Sequence, residues 1–151
     1  RIPASRLRVK FIGRMIGEAR PDLVIEELGL EEIVTVSDPV PHLEAIALAR
    51  RADLLLIFAQ GEPNQIPAKA FEYLASGNPI LVIPDDGSAA DLVRARSCGW
   101  AVADDPERIA AVRRGAPESR LIAKNRAKVR ARLAVRRVSG LDNGHTAIEL
   151  R

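Results

Sequence analysis

The sequence contains one cysteine, Cys98, in 151 residues. That excludes an internal disulfide framework and fits a reducing compartment, so a cytoplasmic setting is expected. A strong charge bias is also missing. The 23 Lys and Arg against 20 Asp and Glu leave a net charge of +3, which does not demand nucleic acid as a partner. No apolar run approaches the roughly 20 residues needed to span a bilayer. The chain opens on Arg1 and not on methionine. A fragment of a longer protein is therefore expected, and the lack of a leader carries no information. The two histidines, His42 and His145, are far apart and belong to no metal-ligand cluster; His42 reads as a helix-start residue. No repeat of fixed period is present.

What is present is an ordinary globular composition, 47% hydrophobic and 28% charged, in a length that suits one domain with a real core. Apolar runs alternate with helical patterns. LRVKFIG (7–13) reads as a strand ending at a glycine, and RPDLVIEELGL (20–30) as a helix with Pro21 in its first turn. EIVTV (32–36) is a second strand. PHLEAIALARRA (41–52) is a helix with Leu43, Ile46, Ala47 and Leu48 mostly on one side. LLLIF (54–58) has the unbroken apolar character of a strand covered on both faces.

After a further short helix come strand ILVIP (80–84), a helix over 88–97 and strand WAVA (100–103). DDPERIAAVRR (104–114) is then a helix announced by aspartate and proline. The class is α/β: a Rossmann-like, doubly wound parallel sheet of about five strands with helices on both faces. Cys98 reads as a small core residue, Trp100 as packing.

Beyond Gly115 the character changes, so residues 1–115 are expected to form the Rossmann-like domain and 116–151 a helical extension packed on it. RLIAKNRAKVRARLAVRR (120–137) is basic, with Leu121, Ile122, Val129 and Leu133 interspersed. It lacks aromatic residues for base stacking and reads as a packed, solvated helix, with peripheral contact to an anionic membrane as the alternative. SGLDNGHTAIELR (139–151) holds turn formers and a final helical turn, with no sixth strand expected.

The most informative stretch is NQIPAKAFEYLASGNP (64–79). Pro67 suits a first helical position, and Gly77 with Pro79 a helix stop. The short helix, 67–76, follows a loop (59–66) at the edge where open α/β sheets bind ligands. Phe71, Leu74 and Ala75 can face the sheet, leaving Lys69 and Glu72 one turn apart on a neighbouring face. A cation beside free helix amides suits a phosphate, and a carboxylate one turn on can accept two hydrogen bonds from a diol such as ribose. A plain surface Lys–Glu pair has the same spacing. PDDG (84–87) is better explained as a turn before a helix capped by Ser88 than as a metal site.

PAKAFEYLASGNPILVIP after ADLLLIF resembles the nucleotide-sugar-binding half of retaining GT-B glycosyltransferases, family 4 and its relatives. In these a Lys-x-x-Glu-Tyr-hydrophobic-Ala-x-Gly-x-Pro segment is typical. The resemblance runs from about Leu7 to Ala110, and its specific part is 64–79. It implies that Glu72 holds the donor ribose and that the amides around Ile66 and Ala68 face the pyrophosphate or sugar, with Lys69 nearby. Arg14, after Gly13, would touch phosphate. Val36 and Ser37, opening the 36–40 loop, would lie near the base. Asn64, Gln65, Gly87 and Ser88 would lie towards the donor sugar.

Two positions depart from the family pattern. Many relatives carry a second glutamate where this chain has Asn64, and a lysine where it has Arg20. The resemblance also implies a nucleotide diphosphate sugar as substrate, no cofactor and no metal. An acceptor-binding N-terminal domain would be needed for turnover. No residue is thereby singled out as catalytic. The same half-domain could belong to a nucleotide-sugar epimerase or serve as a non-catalytic α/β interaction domain.

Overall fold

The computed structural model describes residues 7–13, 21–112 and 145–150. Strands β1 (Leu7–Ile12), β2 (Val34–Ser37), β3 (Leu54–Phe58), β4 (Ile80–Ile83) and β5 (Gly99–Ala101) alternate with α1 (Pro21–Glu27), α2 (His42–Arg51), α3 (Ala68–Ser76), α4 (Ser88–Arg96) and α5 (Pro106–Val112). These follow the segments expected from hydrophobic patterning. The β1–β2, β3–β4 and β4–β5 pairs are parallel, so the α/β architecture is the expected one.

The sheet has six strands, not five, in the order β2-β1-β6-β3-β4-β5. Residues His145–Leu150 form β6, which corrects the expectation of a helical turn there. β6 runs antiparallel to β1, from Leu7↔Leu150 to Ile12↔His145, and among the described residues pairs with β3 at Leu54↔Ile148 and Leu55↔Ala147. HTAIEL does carry a period-two alternation, Thr146, Ile148 and Leu150 against His145, Ala147 and Glu149. Six residues of that kind are ambiguous alone; the pairing with β1, more than 130 positions away in the chain, supplies the hydrogen bonds that decide the matter. The basic stretch 120–137 lies outside the described residues. Among the described residues no helix is long and apolar enough to cross a membrane.

The strands bury both faces because side chains alternate across the pleat. Leu55 and Ile57 with Ile80 and Val82 form the core under α2, α3 and α4, which contribute Ala49, Ala70, Tyr73, Ala89, Ala90 and Val93. Leu56, Leu81 and Ile83 point to the opposite face, where Trp100, Ile109 and Val112 pack. Helices thus cover both faces. Cys98 is buried in the first core, and burial pushes its thiol up to about 11, which keeps it protonated and unreactive.

Two helices turn a different side to the core from the one their large apolar residues suggest. α2 buries Ala45 and Ala49, while Leu43 is 80% exposed. α3 buries Ala70, Tyr73 and Ser76, while Phe71 is 56% exposed. Phe71 therefore does not anchor α3; Leu74 does pack partly against the core. Small residues let the two helices close on each other and on the sheet, and dispersion rewards that approach over the whole contact.

The end of α3 is tied down by its own sequence. Pro67 is the N-cap and not the first helical residue; Gly77 takes the left-handed C-cap conformation, φ 76°, and its N–H donates to Leu74 O. Asn78, buried, donates from Nδ2 to Ala49 O at 2.7 Å, linking the ends of α3 and α2. Ser76 Oγ donates to Tyr73 O at 2.7 Å and accepts from the Asn78 N–H at 3.2 Å.

Candidate functional site

The carboxyl ends of β1 to β5 define one edge of the sheet. At this edge the strand order reverses, β1 leading outward to β2 and β3 outward to β4, the place where open α/β sheets take ligands. The 59–67 loop is fixed there at several points. The Ala59 N–H donates to Ile83 O at 2.8 Å, Gln65 N–H to Glu62 O at 3.2 Å, and Ser88 N–H to Pro63 O at 2.7 Å. Asn64, Gln65 and Ile66 are exposed along it.

The chain then enters α3 through Pro67, which has no N–H and provides no side-chain cap. The Ala70 N–H donates back to Pro67 O. The first turn, with Ala68 and Lys69, therefore presents its amides and the positive end of the helix dipole to this edge. Lys69 is half-buried, and burial lowers its ammonium below the usual lysine value. A partly desolvated cation near an amide-rich helix start is a setting that favours an anion over a second cation.

Glu72 lies one turn further, on the flank of α3 that meets α2. Its Oε1 is 3.8 Å from His42 Nδ1, and its Oε2 is shielded from solvent. His42 is the first residue of α2, directly after the Pro41 N-cap, and so does start a helix as expected. What the sequence reading missed is that it stands opposite Glu72. Thirty residues separate the two, and only the packing of α2 on α3 joins them.

Val36 and Ser37, the end of β2, are exposed at the same edge. Ser37 O accepts from the Gly13 N–H at 3.1 Å, joining the ends of β1 and β2. Arg14 and Arg20 lie outside the described residues. Gly87 and Ser88 sit beneath the 59–67 loop, and the Ser88 N–H is engaged by Pro63 O. It is thus a support of the loop first; a donor sugar would have to compete for that amide. Asp85 and Asp86 belong to the turn before α4, where Arg94 donates to Asp85 O. Phe58, 42% exposed at the end of β3, stacks on Phe11 with ring centroids 6.4 Å apart. Sequence reading singled out neither ring.

Fold and edge together define a Rossmann-like α/β domain whose ligand side carries a lysine, a glutamate and a histidine around one helix start. Among solved structures it is similar to the crystal structure of WaaG, a glycosyltransferase involved in lipopolysaccharide biosynthesis. The TM-score is 0.62 at 21% identity, over 84% of this chain and 34% of WaaG. The fold is therefore that of part of a GT-B glycosyltransferase, and the chain spans about a third of that neighbour's length. It matches no protein-family model and no curated protein sequence.

Proposed function

We propose that the chain is the donor-nucleotide half of a glycosyltransferase that moves a sugar from a nucleotide diphosphate sugar to an acceptor hydroxyl. The observation that carries this reading is the start of α3 at the strand-order reversal, with Lys69 and Glu72 on its flank. The diphosphate would lie against the amides of the 66–69 turn and the Lys69 ammonium, with Arg14 as a second cation. As the glycosidic bond to the diphosphate breaks, charge builds on the departing oxygen. Preorganised amides and a desolvated cation stabilise that charge more than the ground state. Glu72 would hold the ribose hydroxyls and position the donor without taking a proton. Acceptor binding would come from a second domain across the cleft.

Titration calorimetry with UDP, GDP and ADP tests the reading. At least one should bind, and Glu72→Ala should weaken that binding by about 1.5–3 kcal/mol, the scale of hydrogen bonds to a charged group. A folded sample that binds none of the three would sink it.

Lys69 offers an independent check through linkage. Its lowered value in the folded state means that the unfolded chain holds the proton more tightly. Stability should therefore rise with pH from the lowered value towards the ordinary lysine value of 10.5. A bound diphosphate favours the ammonium, so binding should take up a proton in that window and weaken as pH rises through it. Lys69→Met should raise the unfolding midpoint of the free protein and weaken diphosphate binding by about tenfold. Loss of stability with unchanged binding would contradict this assignment.

A further inference from the structure

The gap between His42 and Glu72 has a size with chemical meaning. At 3.8 Å the two side chains are too far apart for a direct N–H···O bond, which spans about 2.7–3.2 Å. An oxygen placed about 2.8 Å from both atoms would see them at an angle of roughly 85°, open enough for two hydrogen bonds.

The ends of the gap differ in chemistry. Glu72 Oε1 can only accept, whereas an imidazole Nδ1–H donates. A group that fits must donate to one and accept from the other, which is what a neutral hydroxyl does. A ligand carboxylate would be repelled by Glu72, and a ligand ammonium has no lone pair to offer His42. The pair is also reachable: the His42 and Glu72 side chains are 43% and 27% exposed. Both stand on rigid elements, the first residue of α2 and the second turn of α3.

We infer that His42 and Glu72 form a two-residue clamp on one ribose hydroxyl, and that His42 is the residue through which the site selects a ribonucleotide over its deoxy counterpart. The inference rests on the donor-nucleotide reading above. The hydroxyl donates to Glu72 Oε1 and accepts from His42 Nδ1–H, so removing it costs the complex both of those bonds. His42 acts in binding, with no part in bond breaking.

The test uses calorimetry of the whole chain with the best-binding nucleoside diphosphate and its 2′-deoxy and 3′-deoxy forms. The native protein should bind one deoxy form about tenfold more weakly than the parent. His42→Ala should bind the parent about fivefold more weakly, and that deoxy form as the native protein does, so the discrimination collapses. His42→Gln, which keeps an N–H donor, should restore part of it. Thermal unfolding of His42→Ala should match the native protein, because an exposed side chain leaves no cavity. If Glu72→Ala weakens binding while His42→Ala retains full discrimination, the clamp is wrong and the donor reading stands. If no nucleotide binds the native protein, both fall.

Discussion

Replacing Tyr73 by alanine is expected to destabilise the protein by about 3–5 kcal/mol, the range for deleting a buried aromatic ring, as read by urea unfolding. Its neighbour gives the contrast: Phe71→Ala should change stability by no more than about 0.5 kcal/mol. Tyr73 is fully buried and Phe71 is 56% exposed, although both are large rings two positions apart on α3. Tyr73 packs within the core formed by Leu55, Ile57, Ile80 and Val82, so its removal opens a cavity between helix and sheet that a β-sheet cannot collapse to fill. The site shares the consequence. The same nine-residue helix carries Lys69 and Glu72, and a shift of α3 by an ångström would displace both from a bound diphosphate and ribose. Comparable losses from Phe71→Ala and Tyr73→Ala would mean that α3 turns a different face inward.

Gly87→Ala should cost about 2–4 kcal/mol, combining an unfavourable backbone conformation with a lost hydrogen bond. Gly87 has φ 84° and ψ 174°, a region open to glycine and costly for any residue with a Cβ. Space is lacking as well, since a Cβ would stand 2.7 Å from Pro63 O and 2.9 Å from Pro63 Cα. Those are backbone atoms, so the 59–67 loop itself would have to move. The same Pro63 carbonyl accepts from the Ser88 N–H at 2.7 Å, and that bond would be strained or broken. Unfolding by urea reads the stability loss. Calorimetry should show weaker nucleotide binding from the displaced loop, even under conditions where the variant is fully folded. Unchanged affinity in a destabilised variant would place the ligand away from this loop.

The α/β class could be read from the chain because each local signal agreed with the next. LLLIF and ILVI are short unbroken apolar runs, and the helices between strands come with their own punctuation. Pro67 with Gly77 bounds α3, and Asp105 caps the start of α5 by accepting from the Arg108 N–H at 2.8 Å. Such features depend on residues a few positions apart, which is the range over which backbone propensity and turn chemistry act. The Lys69–Glu72 spacing was legible for the same reason.

Residues far apart in the chain decided the rest. Which side of α2 and α3 faces inward depends on how closely two helices can approach, and that favoured Ala45, Ala49 and Ala70 over Leu43 and Phe71. The strand character of 145–150 depends on the free edges of β1 and β3. The bond from the Asn78 amide to Ala49 O likewise joins residues 29 positions apart. By itself, then, the sequence determined the elements from β1 to α5, their order and the residues at the start of α3. Tertiary structure alone brought His42 to within 3.8 Å of Glu72, because side chains thirty positions apart meet only after α2 and α3 have packed on a common sheet.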